Sequence, residues 1–103
     1  MNLNEITNKL KSIFEIYKEK YSLNLNEDYF LIKIQEELGE LSSAHLKLTN
    51  RGRAESIEKH ELEKNLREEI EDVISMTLLF DEVKNINIED ALNEKWFKYL
   101  KKS

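Results

Sequence analysis

Two stretches, Glu36-Glu37-Leu38-Gly39-Glu40 and Glu69-Ile70-Glu71-Asp72, decide how this chain is read. Each sits in an apolar background of helical period, so each sets acidic side chains three apart on one helix face: Glu37 with Glu40, and Glu69 with Asp72. If the two helices pack antiparallel with these faces opposed, four carboxylates meet in one small volume. At ~5 Å and an effective dielectric of ~20, each like-charged pair costs roughly 3 kcal/mol, so the arrangement demands a cation. Four carboxylates, with no Cys and no suitably spaced His, are hard oxygen donors suited to Mg, Ca or Mn. A single Glu-x-x-Glu in a chain that is 36% charged reads as a solvated helix face. Two of them, set against Leu38 and Leu41 and against Ile70, Val73 and Ile74, do not, because an unpaired carboxylate is costly to desolvate beside apolar neighbours.

The 103 residues correspond to a single domain, 1–103, and a chain of that length buries only part of its apolar surface, so self-association would help it. With no Pro, two Gly and no Cys, the composition points to an all-α protein in a reducing compartment, the cytoplasm by default. No export signal opens the chain and no apolar run is long enough to span a bilayer. Sixteen basic against twenty-one acidic residues give a net charge of -5, which argues against nucleic-acid binding through phosphate neutralisation. A small polyanion remains compatible with this charge if divalent metal bridges it to the acids.

Four helices are expected. The first runs from about Leu3 to Tyr21, with Asn2 as N-cap, Glu5 three residues on, and a packing stripe of Ile6, Leu10, Ile13, Phe14 and Tyr17. The second starts after Asn26 and reaches Leu48 or Thr49, with Leu31, Ile34, Leu38, Leu41, His45 and Leu48 as its packing stripe and Lys33, Glu37, Glu40 and Ala44 beside it. Gly39 in mid-helix costs ~1 kcal/mol relative to Ala, so either a neighbouring helix comes close or a ligand needs the room. Asn50-Arg51-Gly52-Arg53 breaks the helix, and Arg51, Arg53 and Lys47 either reach a phosphate or solvate the loop. The third helix begins between Ser56 and Glu61 and ends near Lys84. Its Val73–Phe80 segment is apolar on nearly every side, which predicts a subunit interface as well as a core. Asn87 caps the fourth, whose buried stripe is Ile88, Leu92, Trp96 and Tyr99, with Lys95, Lys98, Lys101 and Lys102 in its last turns.

Lys33-Ile34-Gln35-Glu36-Glu37-Leu38-Gly39-Glu40-Leu41 and Glu68-Glu69-Ile70-Glu71-Asp72-Val73-Ile74 together resemble the two-part E-E-x-x-E and E-x-x-D signature of the MazG-like all-α nucleoside triphosphate pyrophosphohydrolases. The resemblance covers about residues 27 to 100. It implies a four-helix bundle-like MazG fold assembled as a homodimer or tetramer. It also implies Mg²⁺-dependent cleavage of a nucleoside triphosphate between the α and β phosphates, giving monophosphate and pyrophosphate for nucleotide-pool housecleaning, with Mn²⁺ as an alternative metal. Carried over, Glu37, Glu40, Glu69 and Asp72 are the metal ligands, Glu36 and Glu40 the catalytic acids, and Lys33, Lys95 and Lys98 the phosphate contacts. The last helix departs from the pattern: Glu94-Lys95-Trp96-Phe97-Lys98-Tyr99-Leu100 has Tyr99 where many relatives have Asn, and no Arg, so the preferred nucleotide is not specified.

Three other readings compete with this one. Di-iron bundles pair Glu-x-x-His, and neither His45 nor His60 stands at that spacing from the acids; His45 reads as a semi-buried packing residue. Within the same superfamily, a phosphoribosyl-ATP, dUTP or dCTP enzyme would draw base selectivity from residues such as Tyr29, Phe30, Trp96 and Phe97, which equally fit ordinary helix packing. A catalytically weak or inactive helical interaction or regulatory module on the same fold is the non-enzymatic alternative.

Overall fold

The computed structural model describes residues 1–24, 26–54 and 56–100. Its elements are four α-helices, α1 (Leu3–Tyr21), α2 (Glu27–Leu48), α3 (Lys59–Val83) and α4 (Ile88–Lys95), followed by a 3-10 turn, Phe97–Leu100. The described residues contain no strand. No helix among them is long and apolar enough to cross a membrane.

Local chemistry sets the helix ends where the sequence reading expected them, except at the C-terminus of α4. Asn2 accepts from the Glu5 amide at 2.9 Å while Glu5 accepts from the Asn2 amide, closing a capping box at the start of α1. Asn26 and Asn87 accept from the amides of Tyr29 and Asp90 in the same way. At the other end, α1, α2 and α3 each close on a left-handed residue: Ser22, Asn50 and Asn85 have φ of 54°, 62° and 58°. The following amides, those of Leu23, Arg51 and Ile86, turn back to the carbonyls of Lys18, Leu46 and Asp81.

The dominant packing is an antiparallel hairpin of α2 against α3, with α1 laid on α3. Phe30, Met76 and Leu79 form the buried nucleus, with Leu10, Phe14, Tyr29, Ile34 and Phe80 packed on it. The Phe14 and Phe30 rings meet edge to face at 5.7 Å, and Lys11 Nζ reaches Glu82 Oε1 at 2.9 Å, tying α1 down at two points.

The structure corrects three expected stripes. On α2 the line facing α3 is Phe30, Ile34, Glu37, Leu41, Ala44 and Leu48, whereas Leu31 and Leu38 are each 46% exposed and His45 is exposed. The helix carries two apolar lines roughly 100° apart, and the one that includes the acidic positions turned inward. On α1, Ile13 and Tyr17 lie exposed, leaving Ile6, Leu10 and Phe14 as its covered line. The expected α4 stripe is only half covered. The α-helix stops at Lys95, and Trp96 and Tyr99 are 58% and 74% exposed, because the 3-10 turn that follows rotates them off the Ile88–Leu92 line.

Within Val73–Phe80, Met76, Leu78 and Leu79 are buried, but Ile74 is 53% exposed. By helical angle, Leu31 and Leu38 of α2 and Ile70 and Ile74 of α3 share one side of the hairpin, opposite Glu36, Glu40 and Asp72. The radius of gyration, 16.9 Å, exceeds the ~13 Å of a compact chain of this length, and the extents of 50 × 47 × 25 Å describe a slab.

Candidate functional site

Because α2 and α3 run antiparallel, residues two turns apart on one helix meet residues two turns apart on the other in reverse order. Ala44 and Lys47 face Leu62 and Asn65, and Glu40 faces Glu69. One turn further along α2, Glu37 comes against Glu69 and Asp72, and single carboxylate oxygens of these three lie within 4.8 Å of one another. Oxygens of Glu36, Glu37 and Glu40 form a second group of the same dimensions. Glu37 belongs to both. Two acidic clusters remote in the chain therefore converge on a single carboxylate.

Glu37 is 8% exposed, the one charged residue buried among those described. Glu69 is half-buried; Glu36, Glu40 and Asp72 stand exposed at the rim. The Oε2 atoms of Glu37 and Glu69 are buried with no hydrogen-bond partner among the described residues. An orphaned buried oxygen is a costly thing to keep, and a buried carboxylate more so. Desolvation, then the charges of Glu40 and Asp72, push the Glu37 carboxyl up to about 7. Desolvation and the Glu40 charge raise Glu69 as well.

Lys33, one turn before Glu37, is the only cation within ion-pair distance of these acids among the described residues. Its ammonium pairs closely with Glu36 and stands 3.8 Å from Glu37 Oε1. Its own pKa is raised, chiefly through the Glu36 hydrogen bond. One lysine against five carboxylates leaves a strong negative excess. The donor set is all oxygen, the kind that suits a hard divalent cation.

Not every expected residue joins this centre. Lys95 and Lys98 lie over the Trp96 and Tyr99 rings, at 5.7 Å and 5.2 Å from their centroids, and neither lines the cavity beside Glu40 and Glu69. Phe30 is core, and Trp96 and Phe97 are exposed away from the acids. His45 sits outside the helix interface, with its Nε2 3.4 Å from an Arg51 guanidinium nitrogen. A Cβ on Gly39 would meet nothing within 4 Å, so no helix of the same chain accounts for that glycine.

Sequence reading missed the groove that leaves the acids. A cavity of about 210 Å³ is lined by Glu40, Ser43, Ala44, Lys47, Leu62, Asn65 and Glu69. Its α2 lining follows Glu40 at helical spacings of three, four and seven, and its α3 lining precedes Glu69 by four and seven. That register was the available signal. Comparison with family models, with curated proteins and with solved structures finds no match to this chain.

Proposed function

We propose that this chain is a Mg²⁺-dependent nucleoside triphosphate pyrophosphohydrolase of MazG-like fold, working as a homo-oligomer. What carries the reading is Glu37: buried, common to two acid triads, and with Glu69 holding an oxygen that lacks a partner. In this reading Glu37, Glu40, Glu69 and Asp72 hold Mg²⁺, or Mn²⁺, which prefers the same donors. When bound, the metal offsets the carboxylates and neutralises the phosphate oxygens of the substrate.

The remaining chemistry belongs to the side chains. Glu36 is exposed and tethered by the Lys33 ammonium, so it can accept a proton from a water attacking the α–β phosphoanhydride while keeping its orientation. Glu40, at the mouth of the groove, fixes the approach of that water. Lys33, 3.8 Å from Glu37 Oε1, stands where it can contact phosphate while keeping its pair with Glu36. Positioning and charge neutralisation supply most of the rate in such transfers. Self-association fits the exposed Leu31, Leu38, Ile70 and Ile74 on the face away from the acids.

The test is pyrophosphate release from a panel of nucleoside triphosphates, with Mg²⁺ and with chelator. Metal-dependent turnover is expected, abolished in Glu40→Gln and Asp72→Asn variants that remain folded. Unchanged turnover in both variants would reject the assigned site. Because Lys95 and Lys98 lie over the Trp96 and Tyr99 rings and do not line the cavity beside Glu40 and Glu69, a helical interaction module on the same scaffold is the second reading; inactivity on every nucleotide would favour it.

A further inference from the structure

The groove that begins at Glu40 and Glu69 does not end there. A second cavity, of about 470 Å³, continues it beneath the α2–α3 turn and is lined by Lys47, Leu48, Asn50, Gly52, Ala54, Ile57, Lys59 and Leu62. Lys47 and Leu62 line both cavities, so they form the passage between them. The charge changes along the way: Glu40 and Glu69 stand at one end, and among the described residues the charged side chains lining the other are Lys47 and Lys59.

Among the described residues Lys47 pairs with no carboxylate. The returning loop packs on its stem: a Cβ on Gly52 would fall 3.0 Å from Lys47 Cγ and 3.1 Å from its backbone nitrogen. That return is set by the left-handed Asn50 and by the Arg51 amide donating to the Leu46 carbonyl at 2.7 Å. The same turn satisfies the last carbonyls of α2, which would otherwise repel an anion here. Across the groove α3 begins at Lys59 without a side-chain cap, its N-cap position held by Glu58 and its first turn by Glu61, so the positive side chain nearest the passage is Lys47.

We propose that this arm receives the pyrophosphate end of the substrate, with Lys47 as its principal contact, Gly52 as a positioning residue, and Ser43 and Asn65 as polar neighbours on the way in from the acids. The inference rests on the pyrophosphohydrolase reading above and says which way the triphosphate lies. Lys47 is two helical turns beyond Glu40, about 10 Å along α2. The four-carbon stem of lysine and a diphosphate group together span that interval. The nucleoside then leaves the acids in the opposite direction, away from the turn.

Calorimetric titration with inorganic pyrophosphate in the presence of Mg²⁺ tests this without requiring turnover, with the four deoxynucleoside monophosphates as the comparison. Lys47→Gln is expected to weaken pyrophosphate binding about 10-fold or more, the loss typical of one charge-assisted contact, and to leave monophosphate binding within about twofold. Lys47→Arg should recover most of it. Gly52→Ala, which displaces the Lys47 stem, should weaken pyrophosphate in the same direction. Pyrophosphate bound equally by wild type and Lys47→Gln, but lost in Asp72→Asn, would overturn the arm and leave the acidic site standing. Weakened monophosphate with unchanged pyrophosphate would reverse the substrate's direction and overturn it too. Wild-type protein that binds neither probe with Mg²⁺ would overturn the site reading and this inference with it.

Discussion

Replacing Glu37 by Gln should stabilise the metal-free protein and cripple its response to metal. The folded chain raises this carboxyl from 4.5 to about 7, an interval worth about 3 kcal/mol. Since the folded state holds the proton more tightly than the unfolded chain, the contribution favours folding in full below about pH 4.5. It fades as pH rises and is lost above about 7. Part of the shift comes from Glu40 and Asp72, which are exposed and screened by solvent, so about 1–3 kcal/mol should be realised. In chelator at pH 8, Glu37→Gln should therefore melt above wild type by about 4–8 °C for each kcal/mol. The gap should close by about pH 4.5, where both carry a neutral side chain. Saturating Mg²⁺ should invert the order, because wild type gains about 2.7 kcal/mol at a hundred times its Kd while the variant has lost the shared ligand. Thermal denaturation across pH 4.5–8, with and without Mg²⁺, reads all of this. A Glu37→Gln variant less stable than wild type at pH 8 in chelator, or a gap that ignores pH, would refute the claim that this carboxylate is buried at a cost which a cation relieves.

Two further variants, one single and one double, probe what lies outside the chain. Gly39→Ala should stabilise the protein by roughly 0.5–1 kcal/mol, as expected for a helix interior with open space at the new methyl; a loss of stability in a melting experiment would mean that something external comes close there. Leu38→Asp together with Ile74→Asp should shift the assembly toward monomer in sedimentation at micromolar concentration while helicity is kept, since both side chains are half exposed in the single chain; an unchanged mass would place any interface elsewhere.

The helix ends were legible because each is decided locally. Asn2, Asn26 and Asn87 offer a short acceptor to an amide three residues on, and nothing distant competes for it. The convergence of the acids was legible for a related reason: helical spacing alone aligns Glu37 with Glu40 and Glu69 with Asp72, and a hairpin brings the pairs together whatever the loop between them does. Which apolar line of α2 faces inward is a different kind of question. Leu31 and Leu38 are as apolar as Ile34 and Leu41, so hydropathy cannot rank them. The choice is made by α3, whose own inward line carries Glu69 at the level of Glu37 and Met76 at the level of Phe30. A hairpin that aligned Leu38 with α3 would have left the acids fully solvated, with no penalty and no orphaned oxygens. The observed register instead buries Glu37 and leaves Leu31, Leu38, Ile70 and Ile74 uncovered, a double cost for one isolated chain. A metal at the acids and an apolar partner on the opposite face would each remove one half of that cost, so the two expectations that sequence reading could state only separately become linked through the rotation of a single helix.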